Sequence, residues 1–323
     1  MLPLLSAYPQ TNRERDEWIV ARRGSRNTVD PLIPHRYLIE DERNAAGKVV
    51  PTTTVFLTNR ECPWRCLMCD LWRNTIAETV PAGAIPQQID YALERLSEAR
   101  QIKLYNSGSF FDPRSIPSED YEAIARRLDP FERVIVECHP ALVGDACLQF
   151  RDLIRGKLEV AMGLETAHPE ILERLNKRMT LEMFAESARF LLKNEIDLRA
   201  FILVKPPFMR EEEAVEWAVR SLEFAFDCGA TAATLIPTRG GNGAMEELAV
   251  AGSFSPPALR TLETGSEQGV LLNKGRVFVD LWDAETWPGC HGCRKQRVAR
   301  LQAMNLEQRI LESIHCNLCK DET

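Results

Sequence analysis

Three absences narrow what this chain can be. No uninterrupted apolar stretch reaches the roughly 18 residues of a membrane span. The opening segment "MLPLLSAYPQTNRERDEW" has only a short apolar run with no basic residue before it, which argues against a secretory leader and for a cytoplasmic protein. No internal repeat or low-complexity segment interrupts the chain, which argues against a solenoid or a disordered array. Positive charge is in deficit too: the net charge of −7 speaks against broad electrostatic affinity for nucleic acid. Basic residues still cluster locally, as Arg13, Arg15, Arg22, Arg23 and Arg26 near the start and as Arg294, Lys295, Arg297 and Arg300 in the tail. Taken alone, each cluster reads as a solvated helix face.

What is present is an ordinary globular composition, 45% hydrophobic and 27% charged over 323 residues, enough for one large domain or a domain with an appendage. In a reducing compartment its ten cysteines are better metal ligands and buried thiols than disulfides. Short β-branched or apolar runs mark six strands, at 52 to 58, 101 to 107, 133 to 138, 158 to 165, 198 to 204 and 231 to 237. Helical patterns separate them near 86 to 99, 118 to 128, 143 to 154, 181 to 193 and 211 to 227, with another near 257 to 268. Strands alternating with helices predict parallel pairing, hence an α/β fold: a partial (β/α)6 TIM-like barrel over residues 50–245. An N-terminal extension, 1–49, precedes it, and a C-terminal extension, 246–323, follows.

In such a barrel the loops after the strands converge on one face. That face collects Cys62, Cys66, Cys69, Ser107, Ser109, Glu137, His139, Glu165, Lys205 and Asn242. The first of these loops, "TNRECPWRCLMCDLWRN", is the most telling. A structural zinc site normally takes four ligands and a disulfide framework takes cysteines in pairs, whereas this loop supplies three. C-x3-C-x2-C places three thiolates on three irons of a 4Fe-4S cluster and leaves the fourth iron open to a small molecule. A zinc site with a distant fourth ligand is the competing reading.

This loop after the first strand resembles the signature of the radical S-adenosylmethionine (SAM) superfamily. The resemblance implies that SAM chelates the open iron and that an electron from the cluster cleaves its sulfonium, giving a 5′-deoxyadenosyl radical that abstracts hydrogen. It also implies a donor of that electron, such as flavodoxin or ferredoxin. "SGS", Ser107, Gly108 and Ser109, stands in the place of the superfamily's "GGE"-like segment and suits the methionyl end of SAM; Gly108 permits close backbone approach. Glu165 of "GLET" is placed to accept from the ribose hydroxyls or the SAM ammonium, and Glu137 joins the cofactor-binding set. Lys205, before a rigid Pro-Pro step, can meet a substrate anion or the SAM carboxylate; with His139 and Asn242 it makes up the candidate catalytic set.

The succession "NSGSFFDPR", "VECHP", "GLET", "LNKRMT", "FILVKPPF" and "IPTRGGNG" resembles, more narrowly, the radical SAM subunit of archaeosine synthase and its uncharacterised homologues. That implies cleavage of a C–N bond in a lysine adduct of a 7-deazaguanine on tRNA, with tRNA or a tRNA-modifying subunit as partner. Two departures stand out: an arginine expected near His139 and a glycine expected near Arg178 are missing. A radical SAM enzyme acting on a small molecule outside tRNA stays open as an alternative. So does a non-catalytic metal scaffold, although a scaffold has no need of polar strand ends in a common cavity.

The tail carries a second constellation. "CHGC" (Cys290, Cys293) and "CNLC" (Cys316, Cys319) are separated by 22 residues, a spacing that closes a four-cysteine zinc site or an auxiliary iron–sulfur cluster. His291 and His315 lie beside them as surface or supporting residues. Cys138, Cys147 and Cys228 read as small buried hydrophobes. Trp64 and Trp72 read as packing that shields the cluster loop.

Overall fold

Alternation along each strand decides the architecture, because successive side chains leave a strand on opposite faces. The computed structural model describes residues 8–319, so residues 1–7 and 320–323, the outer ends of the two expected extensions, lie outside the described residues. Eight strands form one sheet in chain order: β1 (Arg36–Arg43), β2 (Val49–Phe56), β3 (Gln101–Tyr105), β4 (Arg133–Glu137), β5 (Lys157–Glu165), β6 (Asp197–Val204), β7 (Ala232–Pro237) and β8 (Arg276–Val279). β1 and β2 form an antiparallel hairpin, and every later pair is parallel. The six strands read from the sequence are β2 to β7; β1 and β8 extend the sheet at its two edges. The sheet does not close on itself, which makes it a curled half-barrel.

Helices α2 (Ala84–Leu93), α3 (Tyr121–Leu128), α4 (Asp145–Leu153), α6 (Leu181–Lys193), α7 (Glu211–Asp227) and α9 (Leu259–Leu271) fall where the 3.6-residue period put them. Four more are α1 (Asn12–Ala21), α5 (Pro169–Arg174), α8 (Ala244–Val250) and α10 (Arg294–Glu307). No helix among the described residues is long and apolar enough to cross a membrane.

The outer face of the sheet is apolar. Val134 and Val136 of β4, Val160 and Met162 of β5 and Ile202 of β6 are fully buried in one core with Phe184, Leu191 and Leu222 from the helices. Burying each such side chain contributes roughly 1.5–3 kcal/mol. The inner face near the strand beginnings is charged. Arg199 of β6 donates its Nη2 and Nη1 to both carboxylate oxygens of Glu42 at 2.6 and 3.1 Å and its Nε to Glu159 at 2.7 Å. Lys103 pairs with Glu42 at 2.6 Å and Glu40 at 2.9 Å, and Arg133 reaches Glu159 at 2.9 Å. Burial alone would raise the Glu42 carboxyl, but Arg199 and Lys103 overrule it and hold the carboxyl far below the usual range.

The open edge is covered by α10. Asn305 and Gln308 act as a surrogate strand for β8: the Asn305 amide accepts from Val279 N–H and donates to its carbonyl at 2.8 and 2.9 Å, and Gln308 does the same for Val277 at 2.8 Å each way. An exposed row of strand donors and acceptors is thereby satisfied. Arg276 Nη1 donates to Arg43 O at 3.0 Å, joining β8 to β1 across the gap.

Neither basic cluster is the solvated face expected of it. Arg15 is buried against Glu173, and Arg297 and Arg300 are buried against Glu263 of α9. These guanidinium groups are buried beside carboxylates that no periodicity marks, whereas Arg13 stays exposed beside Glu17. The ion network yields a test. Arg199→Leu leaves Glu42 and Glu159 short of their main partner, so stability should fall by about 3–5 kcal/mol. A lowered urea midpoint would show it; an unchanged midpoint would mean that Lys103, Arg133 and Arg276 suffice.

Candidate active site and metal centre

The three-cysteine loop leaves β2 at the C-terminal end of the parallel strands, and four other loops hold it. Gly108 packs directly on it: a Cβ there would lie 3.3 Å from the Cys62 Cβ and 3.8 Å from its Cα. Trp64 stacks on His139 with ring centres 3.8 Å apart and planes within 9°. Asn176 donates to Arg65 O at 2.8 Å, and Leu67 N–H donates to Leu175 O at 2.9 Å. Asn242 donates to Leu67 O at 2.7 Å and Cys69 O at 3.2 Å, while its Oδ1 accepts from Met245 N–H and so caps α8. From the N-terminal side, Glu61 in the loop pairs with Arg23 at 2.7 Å, with Arg65 at 3.1 Å and with Arg26.

Electrostatics centre on Lys177. Its ammonium pairs with Glu165 and donates to Gly163 O at 2.6 Å, all within buried surroundings. A Cβ on Gly163 would overlap both the Glu165 carboxylate and the Lys177 ammonium, so glycine is required for this pair to lie flat on β5. Burial raises the Cys62 and Cys66 thiols, and Lys177 pulls each of them back down. Cys69 is pushed up to about 12 by burial and by Asp70. Burial lowers Lys177 itself, but Glu165 and Cys66 outweigh it and the ammonium stays charged. Asn176 and Arg178, on either side of Lys177, both have left-handed backbone, φ +56° and +61°. Non-glycine residues hold that conformation at a cost of roughly 1–3 kcal/mol each, which the surrounding bonds must offset.

The candidate residues from the sequence divide sharply. Ser109 accepts from His139 N–H at 2.7 Å. Glu137 accepts from Asn106 N–H at 2.9 Å, and burial pushes its carboxyl up to about 7. Ser107 has positive φ, +53°. His139 has no free ring nitrogen: Nδ1 accepts from Ala141 N–H at 3.1 Å, so Nε2 carries the proton and donates to Lys177 O at 3.0 Å. Burial and Lys177 lower it to about 3, so it is neutral. Lys205 is occupied by Ser255 at 2.7 Å and Glu211 at 2.5 Å. His139, Asn242 and Lys205 thus each make hydrogen bonds that join one loop to another. Lys177 went unselected although "LNKRMT" contains it, because a lysine next to an arginine in a polar segment carries no periodic signal.

No protein-family model matches the chain. An uncharacterized protein of Methanocaldococcus jannaschii is 25% identical over 319 residues, 92% of this chain and 87% of that protein. Archaeosine synthase subunit beta of Methanosarcina acetivorans is 28% identical over 194 residues, and the match spans about half of each protein, 55%. Methylornithine synthase shares the fold, with TM-score 0.50 at 13% identity over 79% of this chain and 81% of that one. The chain resembles the radical SAM superfamily.

A second group of thiols closes in the tail. The sulfurs of Cys290, Cys293, Cys316 and Cys319 all lie within 4.8 Å of one another, with Cys290 to Cys316 at 3.9 Å and Cys293 to Cys319 at 3.5 Å. Four thiolates on one tetrahedral ion with bonds of about 2.3 Å place their sulfurs roughly 3.8 Å apart.

Asn242 supplies the test of the loop's support. Asn242→Ala removes two donors to the loop and a helix cap, so stability should drop by about 1–3 kcal/mol. Iron uptake on anaerobic reconstitution should fall with the sheet's circular dichroism retained. Full iron content in that variant would show that the loop holds its shape unaided.

Proposed function

We propose that this protein is a radical SAM enzyme whose Cys62, Cys66 and Cys69 hold a 4Fe-4S cluster and which acts on a modified base of tRNA. The observation that carries the reading is that one loop holds three half-buried cysteines near enough to act on one another electrostatically, with the Lys177 ammonium acting on Cys62 and Cys66 and no fourth cysteine in the loop. Three soft donors at a strand end suit a cluster with one open iron, and a structural zinc ion would want four. Bound there, the cluster would supply the electron that cleaves the SAM sulfonium. The chain's own residues do the rest. Glu165, held by Lys177, presents a carboxylate for the SAM ammonium or ribose, and Ser107 to Ser109 bring backbone groups beside Cys62. The His139–Trp64 stack braces the loop.

The tRNA context rests on the relatives named archaeosine synthase subunit beta, with C–N bond cleavage in a lysine adduct as the implied reaction and a partner subunit and an electron donor as implied company. The half-length match leaves a small molecule as the alternative substrate. Comparing tRNA nucleosides from cells with and without the gene decides this; unchanged nucleosides would reject tRNA as the substrate. For the cluster, replacing any one of Cys62, Cys66 or Cys69 by alanine should abolish the iron–sulfur absorbance of that site and all 5′-deoxyadenosine formation. Cleavage retained in one variant would refute the assignment.

For the tail we propose a single zinc ion, since sulfurs this close fit one ion better than a cubane, in which each thiolate sits on a different iron. Anaerobic protein should carry close to one zinc per chain, and Cys316→Ala should lose the zinc while the barrel loop still takes up iron. About eight irons per chain in place of zinc would instead mean two clusters.

A further inference from the structure

The basic stretch of the tail, "CRKQR", has no part in either site above, and it stands where helix electrostatics disfavours it. α10 begins at Arg294, and its first turn holds Arg294 and Lys295 and no acidic residue. The N-terminal end of a helix is its positive end, so carboxylates stabilise it and cations do the opposite. Cys293, the residue that caps this end, gives the backbone no side-chain hydrogen bond. A negative group just before the helix would resolve the conflict. Four thiolates on one divalent cation leave negative charge over, and the four tail sulfurs gather at that spot.

The arginines bring more than charge. Arg294, Arg297 and Arg300 recur at every third residue, which keeps them on one side of α10, and each grips a different piece of the site. Arg294 donates to Glu285 O at 2.7 Å and to Gly289 O at 3.1 Å, two carbonyls of the segment that leads into Cys290. Arg297 is buried, pairs with Glu263 of α9 at 2.5 Å and lies within hydrogen-bond reach of the Cys293 sulfur. Arg300, also buried, pairs with Glu267 at 2.6 Å and donates to Leu311 O at 2.6 Å and to Glu312 O at 2.8 Å. Those two carbonyls belong to the segment that brings the second cysteine pair back along α10. The helix, of 14 residues, is roughly 21 Å long, and the chain from Gln308 to Cys316 can reach at most about 29 Å. The return segment is therefore nearly extended, and a clamp at its middle decides where its cysteines arrive. Glu263 and Glu267 hold the two inner arginines from the α9 side, so both are oriented by the fold itself.

We propose that Arg294, Arg297 and Arg300 are positioning residues of the tail metal site: Arg294 sets the approach to Cys290, Arg297 balances the thiolate charge at Cys293, and Arg300 lays the return segment so that Cys316 and Cys319 meet the first pair. The proposal rests on the zinc reading above and gives the basic cluster of the tail a function. Residues that orient a metal's ligands from behind are typically worth about 10–100-fold in metal affinity.

The test is the zinc affinity of the full chain, with its barrel loop loaded with iron, measured anaerobically by competition with a chromophoric zinc chelator. Arg294→Met, Arg297→Met and Arg300→Met should each weaken zinc binding by about 10–100-fold. Lys295→Met, on the exposed side of the same turn, should leave it within about fivefold. Arg297→Lys keeps the charge and should recover most of the affinity, whereas Arg300→Lys should not, because an ammonium lacks the planar fork that spans Glu267 and two carbonyls. Melting of each variant with and without zinc separates positioning from packing: a residue that only packs α10 on α9 costs both forms alike, and a positioning residue costs the zinc-loaded form more. The proposal is overturned if the three methionine variants bind zinc as tightly as wild type, if Lys295→Met weakens binding as much as they do, if Arg297→Lys binds no better than Arg297→Met, or if both forms lose stability alike. Wild type that takes up no zinc at the tail sinks the zinc reading and the proposal together, whereas wild type that binds zinc beside unaffected variants sinks the proposal alone.

Discussion

A positive charge buried beside the cysteine loop needs partners of its own, and much of the loop's support follows from that constraint. The charge is Lys177. A buried ammonium is itself costly, so it needs a carboxylate and carbonyls of its own, which Glu165 and Gly163 provide. Those partners lie flat on β5 only because residue 163 has no side chain. The backbone that carries the lysine is bent through left-handed residues on both sides, and its carbonyl is spent on His139, whose ring braces Trp64 in the cysteine loop. One ammonium thus ties the charge balance of the loop to its mechanical support.

The same logic runs in reverse at the strand beginnings. There the inner face carries four basic side chains against Glu42 and Glu159, with Glu40 and Asp197 at the margin. Apolar residues would fill that space with less desolvation cost. What ions add is direction: bidentate and shared contacts join β1, β3, β4, β5, β6 and β8, so the strands of an open sheet are fixed relative to one another without closure. A half-barrel lacks the ring of hydrogen bonds that fixes a complete one, and the network substitutes for part of it.

This division explains what the sequence made legible. β2 to β7 declare themselves because their outward positions are aliphatic and their ends fall at turn residues. β1, "RYLIEDER", hides because Glu40 and Glu42 serve the ion network and mimic a solvated segment; β8, "RVFV", is too short to show a period. α1 hides for the opposite reason: its buried side chains are Arg15, Trp18 and Ile19, an arginine among them, so its apolar stripe is broken. At the site, cysteine spacing survives in the linear sequence because one loop carries it. Roles that depend on partners do not. His139 and Asn242 have the right chemistry for catalysis at the right strand ends, and only the folded structure shows the hydrogen bonds by which their side chains also join the cysteine loop to its neighbours.

The tail belongs to this scheme more closely than an appendage would. Cys293 immediately precedes α10, and Asn305 and Gln308 at the other end of that helix complete the edge of β8. β8 in turn leads directly to Asp280 and Trp282, both of which Arg239 holds in place. A metal ion on the four tail thiols would fix where α10 begins, the helix would fix the strand edge, and the strand would fix the tryptophan. Free energy released on metal binding in such a small closed site is folding free energy, and here the helix it orders ends at the β8 edge.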